Sequence, residues 1–425
     1  MKKYNIKRST LNANIFVFSA IIFLYLPLFN VAGYQFNFGT ASAVFLVLLS
    51  LPQLMHKSWR HSNLLVLAWI APLVIYTGHV ILSTTYALEF FEFFKSYALW
   101  CVSSFLIWLA FQDHVKFYQA NWTALLVVVV AFSCLQYVDK IFGSGVIVDI
   151  VKAVGLYRPE DYGTEAARQG MKFRAVGAYY EPSMLGRVIC TLSAVVLVTR
   201  QKFSLVMISL AAGIIVSKSF SIVILGLAML VIVYGRASAK SAIVLLSLLV
   251  AFVAFGDFIY QRINIVNGVT NSSSYIRLIM PMFAVSQVLP AYPFGVPIGS
   301  NELVVEMTLA PIFAYHEPKI TNGLYEFVLL FGISAIGAII FILGRIFIHW
   351  LNNRSGEAII GLFLLLSTAA SSSYLNIESS LMLYLMITSI RVSMYQERCR
   401  EEADRMGLEP VFYSKPVQGG VSKSS

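Results

Sequence analysis

Residues 203–235 read FSLVMISLAAGIIVSKSFSIVILGLAMLVIVYG, an apolar run in which Lys218 is the one charged residue. The run is longer than a single spanning helix, which needs about 20 residues. One continuous helix would also put Lys218 near the centre of a bilayer, at a cost of about 2.5–3.5 kcal/mol. The sequence therefore predicts two short helices, 203–217 and 219–235, with a turn at Lys218.

This turn decides on which side of the membrane the later segments lie. With two helices, the basic residues that flank the apolar runs share one side, as the positive-inside rule requires. Arg200, Arg236, Lys240 and Arg345 are among them. Both termini are then expected in the cytoplasm, and Lys218 is expected on the periplasmic side.

The composition extends this prediction to the whole chain. Of 425 residues, 58% are hydrophobic and 12% are charged, against roughly 25% charged in soluble domains. We therefore predict an all-α polytopic membrane protein with about 12 transmembrane helices. The predicted spans are 13–32, 38–55, 63–82, 94–112, 121–140, 182–199, 203–217, 219–235, 241–257, 323–344, 356–373 and 379–395.

One transmembrane bundle, residues 1–395, is the predicted domain organisation. Two long loops, 141–181 and 258–322, are expected on the periplasmic side. The cytoplasmic tail, 396–425, is expected to begin as an extension of the last helix and to end in a disordered Gly/Ser-rich segment.

Charge and motifs exclude several classes of protein. The net charge of +10 lies in short segments beside apolar runs, which indicates anionic lipid headgroups rather than nucleic acid. The four cysteines show neither disulfide nor metal spacing. The chain has no phosphate-binding Gly-rich loop and no HExxH motif. We expect neither a cofactor nor a metal.

The first long loop ends at Arg174 and then at Glu181-Pro182-Ser183, where the next span opens. Proline favours the first position of a helix, and a carboxylate is stabilised at the helix N-terminus. Glu181 is therefore either a helix-starting residue or a catalytic or substrate-orienting group. Arg187, further along, either snorkels to the interface or binds phosphate.

Two further arginines, Arg262 and Arg277, lie in the second loop. Because a guanidinium matches phosphate oxygens bidentately, these residues and Arg174 would hold a diphosphate without a metal. Lys218 and its flanking serines form a weaker candidate anion site. Tyr275 suits either sugar stacking or an interfacial aromatic belt.

Four motifs in this order resemble the Wzy-type O-antigen and exopolysaccharide polymerases, which share their fold with the O-antigen ligases. The resemblance covers roughly residues 170–380 and is closest to colanic-acid-type polymerases. The matching motifs are Arg174–Ser183, Ser217–Ser221, Ser272–Arg277 and Thr321–Tyr325.

The resemblance implies a GT-C-like, metal-independent glycosyltransferase of the bacterial inner membrane with its active site facing the periplasm. It would transfer a growing glycan on undecaprenyl diphosphate to a new lipid-linked repeat unit, with a chain-length co-polymerase as a candidate partner. The implied catalytic residues are Glu181 as base, Arg174 and Arg277. The implied substrate-binding residues are Arg262, Arg187, Lys218, Ser274, Tyr275 and Asn322.

Three alternatives stay open. An O-antigen ligase would use the same donor, but His316 is the one histidine in the second loop and its context does not match that branch. A lipid-linked oligosaccharide flippase would be expected to have internal repeats and midplane charges; the sequence shows no convincing repeat, and nearly every charge away from the span ends lies in the outer loops. A non-catalytic scaffold of the export machinery would not need two loops with ordered arginines.

Overall fold

The structure is a computed structural model that describes thirteen parts of the chain. These parts are residues 15–31, 34–55, 62–81, 90–112, 120–143, 145–154, 175–179, 181–200, 202–234, 280–300, 304, 322–369 and 376–405.

Within these residues the regular secondary structure is helical apart from one two-stranded hairpin. In chain order the elements are α1 (15–22), β1 (Pro27–Val31), β2 (Tyr34–Asn37), α2 (Phe38–Met55), α3 (Ser62–Ile81), α4 (Phe90–Ala110), α5 (Trp122–Phe142), α6 (Val146–Ala153), α7 (Pro182–Arg200), α8 (Phe203–Ser217), α9 (Phe220–Tyr234), α10 (Met280–Ala291), α11 (Gly323–Leu351), α12 (Ser355–Ala369) and α13 (Ile377–Arg405).

The all-α polytopic class is confirmed in outline. Among the described residues, six helices are long and apolar enough to cross a membrane, and shorter apolar helices lie at four further predicted spans. The split of 203–235 is confirmed because α8 ends at Ser217 and α9 begins at Phe220. The predicted span 241–257 lies outside the described residues, so the count of twelve stays a prediction.

The first predicted span, 13–32, is wrong beyond residue 22. Helix α1 ends there, and β1 pairs antiparallel with β2. Pro27 explains the change, because proline lacks a backbone donor and disfavours helix at the residue before it. The hairpin places Asn37 at the start of α2.

The predicted span 323–344 lies within α11, which is long and apolar enough to cross a membrane. Helix α11 breaks at Gly332 (φ 57°, ψ −136°) and continues to Leu351. Pro293 O accepts a hydrogen bond from Ile333 N at 2.9 Å, and Val296 N donates to Leu329 O at 2.9 Å. The loop after α10 thus satisfies the backbone groups that the break releases, as lipid surroundings require.

The two long predicted loops contain helices that hydropathy did not indicate. Helix α6 lies in the first loop and α10 in the second. At the other end of the chain, α13 continues to Arg405, which confirms the predicted helical start of the tail.

Two helices form the centre of the bundle. Helix α7 packs against α5, α8, α9, α12 and α13, and α13 also packs against α2 and α4. Gly186 allows the close approach of α9, since a Cβ there would lie 2.7 Å from Ile222 Cγ1. The α7–α13 contact carries the candidate site.

Candidate functional site

Glu181 occupies the N-cap of α7, as the sequence predicts. The carbonyl oxygen of Glu181 accepts hydrogen bonds from Met184 N and Leu185 N, both at 3.1 Å. Pro182 takes the first helical position, where its missing N–H has no consequence. Ser183 Oγ donates to Glu181 Oε2 at 2.7 Å. The carboxylate is therefore oriented at the mouth of the helix.

Gln136 of α5 fixes the loop that leads to this helix. The side chain is fully buried, and its Oε1 accepts from Val176 N at 3.0 Å and Gly177 N at 2.8 Å. Tyr179 follows, buried, with its hydroxyl donating to Ile21 O at 3.3 Å. Burial raises the pKa of Tyr179 far above its usual value, so the hydroxyl stays a neutral donor.

Arg187 lies one and a half turns into α7 and is 5% exposed. It does not snorkel to the surface. Its Nη1 donates to Ser379 Oγ of α13 at 3.1 Å, while its buried Nε has no hydrogen-bond partner among the described residues. A guanidinium has five N–H donors. Arg187 therefore makes fewer hydrogen bonds with the described residues than its donors allow.

Glu378, at the start of α13, is 4% exposed. Asn37 Nδ2 donates to its Oε1 at 3.0 Å, and Thr40 Oγ1 donates to the same oxygen at 2.8 Å. Asn376 precedes the helix and accepts from Ser379 N at 2.9 Å through Oδ1, which caps α13. The carboxylate lies in the first turn, where the helix dipole stabilises negative charge.

Tyr25 joins these residues into one cluster. Its side chain is hydrogen-bonded with Ser379. It also interacts electrostatically with Arg187, Glu378 and Glu181. Its ring also packs edge-on against Tyr179, with centroids 6.1 Å apart. We call Arg187, Ser379, Glu378, Asn37, Thr40 and Tyr25 the buried polar cluster.

The turn at Lys218 lies beside the same end of α7. Lys218 adopts a left-handed conformation (φ 48°) and caps α8, with its N–H donating to Ile214 O. Ser217 Oγ donates to Gly213 O at 2.7 Å, and Ala175 N donates to Val216 O at 2.8 Å. The Ser217 hydroxyl thus serves a helix end, and the anion-binding role of Lys218 stays a prediction.

Asn322 is the N-cap of α11, where Leu324 N donates to its Oδ1 at 3.0 Å. This geometry gives Asn322 a structural role, and its substrate-binding role stays a prediction. The other predicted site residues lie outside the described part of the chain: Arg174, Arg262, Ser274, Tyr275 and Arg277. Among the described residues, no group of three His, Cys, Asp or Glu side chains is arranged to hold a metal.

Sequence reasoning missed Glu378 and Gln136. The sequence alone does not single out Glu378, because an acidic residue in a first helical turn is common. The signal that distinguishes it is its contact with Asn37 and Thr40, from a segment more than 300 positions earlier. Such a contact depends on the tertiary fold.

The cluster presents two complementary groups at one end of the α7–α13 contact. Arginine offers donors only, and an ionised carboxylate offers acceptors only. Burial strengthens the interactions of both with a ligand, because little solvent screens them. A molecule with phosphate next to hydroxyl groups matches this pair.

A family model described as WcaD colanic acid polymerase matches residues 13–392 of the chain. None of the curated proteins and none of the solved structures matches it. The matched region includes the residues of the buried polar cluster and every candidate site residue named from the sequence.

Proposed function

Because the chain belongs to the WcaD colanic acid polymerase family, we propose that it elongates polysaccharide on undecaprenyl diphosphate at the periplasmic face of the inner membrane. A growing glycan on one carrier lipid is transferred to a hydroxyl of a new lipid-linked repeat unit. A chain-length co-polymerase is a candidate partner.

The reaction makes one bond and breaks one. A hydroxyl oxygen of the incoming repeat attacks the anomeric carbon of the donor glycan. The bond from that carbon to the diphosphate oxygen breaks, and the electron pair leaves with the lipid diphosphate. The hydroxyl proton passes to a base, for which Glu181 is the candidate.

The observation that carries this proposal is the buried Arg187, which makes one hydrogen bond within the described residues although it is 5% exposed. A guanidinium has five N–H donors, so the remaining donors of Arg187 lie in a buried site where little solvent screens them. Negative charge grows on the diphosphate as it leaves, and pre-positioned donors stabilise that transition state. Arg174, Arg262 and Arg277 are proposed to complete the diphosphate site.

The oriented carboxylate of Glu181 supports the proposed base. It lies at the start of the helix that carries Arg187, and Ser183 fixes one of its oxygens. A positioned base accelerates proton transfer by about 10²–10⁴-fold. The hydrogen-bond donor Arg187 and the base Glu181 would thus both reach the substrate from α7.

A deletion strain complemented with variants tests the proposal. Arg174→Ala and Arg277→Ala should each abolish long polymer while the protein still inserts at normal abundance. Glu181→Gln should lower turnover by at least about 100-fold if it is the base. Normal polymer length from a well-expressed Arg174→Ala/Arg277→Ala double variant would contradict the diphosphate site.

The lipid-linked sugar that the deletion strain accumulates separates the classes of protein. A single-repeat glycolipid on the periplasmic side is expected for a polymerase. Loss of all outward lipid-linked sugar would indicate a flippase. Full-length polymer retained on the carrier lipid would indicate a ligase.

A further inference from the structure

Glu378 has one oxygen fixed by the protein and one oxygen left open. Both of its hydrogen bonds with described residues, from Asn37 and Thr40, end on Oε1. Oε2 therefore keeps its lone pairs for a ligand. Glu378 is 4% exposed, so little of this side chain is open to bulk water.

The surrounding backbone holds this carboxylate firmly in place. Asn376 caps α13 just before it, and Gly39 N donates to Leu24 O at 2.9 Å just beside it. A Cβ on Gly39 would lie 2.6 Å from Leu24 O and 3.1 Å from Glu378 Cγ. The glycine thus lets the start of α2 pack directly on the carboxylate side chain.

The residue after Glu378 contacts the proposed phosphate-binding residue. Ser379 Oγ accepts from Arg187 Nη1 at 3.1 Å, and Tyr25 interacts with Arg187, Ser379 and Glu378. A ligand bound to the open donors of Arg187 would therefore lie in the same buried polar cluster as the carboxylate of Glu378. On a sugar 1-diphosphate, the hydroxyls closest to the phosphates belong to the first sugar.

We propose that Glu378 binds a hydroxyl of the sugar directly attached to the carrier diphosphate. Oε2 accepts the hydrogen bond, while Arg187 holds the diphosphate. Glu378 is thereby a specificity-determining residue that distinguishes a loaded carrier lipid from the empty carrier. This inference rests on the proposed function, since it takes Arg187 as a diphosphate ligand.

Binding measurements on the purified full chain test this role apart from turnover. The probes are a prenyl diphosphate and the same lipid carrying one hexose. Glu378→Gln keeps an acceptor for Asn37 and Thr40 but replaces the open oxygen with an amide. It should weaken binding of the sugar-bearing lipid by about tenfold, the effect of losing one hydrogen bond to a charged group. Binding of the sugar-free lipid should change by less than about twofold.

Arg187→Gln is the matched variant. It should weaken the binding of both lipids by a similar factor. The role of Glu378 would be overturned if Glu378→Gln weakened the binding of both lipids equally, or weakened the binding of neither. If the wild-type protein binds neither lipid, the proposed diphosphate site fails and this inference fails with it.

Lipids that lack single hydroxyls on the first sugar identify the contact. One of these hydroxyls should donate the hydrogen bond to Glu378. Its removal should weaken binding of the lipid to the wild-type protein by about tenfold, and binding to the Glu378→Gln variant by less than about twofold. Independent, additive losses for every hydroxyl would show that Glu378 acts through the fold, and would overturn a direct contact.

Discussion

Helices α7 and α3 are both apolar runs of spanning length, yet they occupy opposite environments. In α7, 83% of an apolar 18-residue segment is buried inside the protein, whereas in α3 the fraction is 11%. Helix α7 carries Gly186, Ser193 and Arg187, while α3 presents Leu64 and Leu67 outward. In lipid, small and polar residues drive helices together, because leucine gains little from leaving the bilayer.

The comparison locates function in the less apolar helix. An ionisable residue inside a membrane bundle is expensive and is retained where it serves a purpose. Arg187 on α7 and Glu378 on α13 are such residues, and each makes fewer hydrogen bonds with described residues than its chemistry allows. Substitutions in α7 or in the buried polar cluster should therefore lower polymer formation or stability more than similar substitutions in the helices that face lipid.

The largest effect is expected at Arg187. Arg187→Ala should lower polymer formation by at least about 100-fold, because it removes a donor to the developing charge of the diphosphate. Polymer is measured in cells with equal amounts of inserted protein. The matched control is Lys95→Ala on α4, whose Nζ pairs with Glu92 at 2.8 Å in a partly exposed contact. The distinction between the two helices would be contradicted if Arg187→Ala lowered polymer formation by less than twofold, or if Lys95→Ala lowered it by a comparable factor.

An intermediate effect is expected from a wedge between α7 and α9. Gly186→Val would push its side chain against Ile222 and Ser219, whose atoms lie 2.7 and 3.0 Å from the position of a Cβ. We expect the free energy of unfolding to fall by about 1–3 kcal/mol, measured by denaturant unfolding in micelles.

Gly78→Val on α3 is the control for this wedge, because nothing lies within 4 Å of a Cβ there. Its free energy of unfolding should change by less than about 0.5 kcal/mol. Equal destabilisation by the two variants would show that helix propensity, and not packing, determines the effect.

The smallest effect is expected at Thr40 of the buried polar cluster. Thr40→Val removes one of the two donors to Glu378 Oε1 and should lower polymer formation by about threefold to tenfold, since one buried acceptor loses a partner. Thr77→Val on α3 is the control, because Thr77 Oγ1 donates only to Leu73 O on an exposed face. An unchanged rate in Thr40→Val would separate Thr40 from the function of Glu378.

The sequence predicts features whose cause is local. The cost of burying Lys218 predicts the turn between α8 and α9, and Pro182 after Glu181 predicts the start of α7. Gly332 shows the limit, because a glycine in an apolar run gives no sign that the α10 loop will enter there. Pro27 indicates that the first helix ends early, but the continuous apolar run 13–32 favours a full span.

The candidate site divides in the same way. Arg187 stands out from the sequence because it is a charge inside an apolar helix. Glu378 does not, because its importance depends on Asn37 and Thr40, which the hairpin and α2 bring from the other end of the chain. Tertiary packing therefore assembles the rest of the buried polar cluster around Arg187, the one member that the sequence indicates.

Reconstitution of the purified protein with lipid-linked repeat units tests the central claim most directly, with EDTA present and with the Arg187→Gln variant in parallel. The account predicts a ladder of polymer from the wild-type protein and none from the variant. A ladder of equal length and rate from Arg187→Gln would contradict it, as would no polymer from the folded wild-type protein.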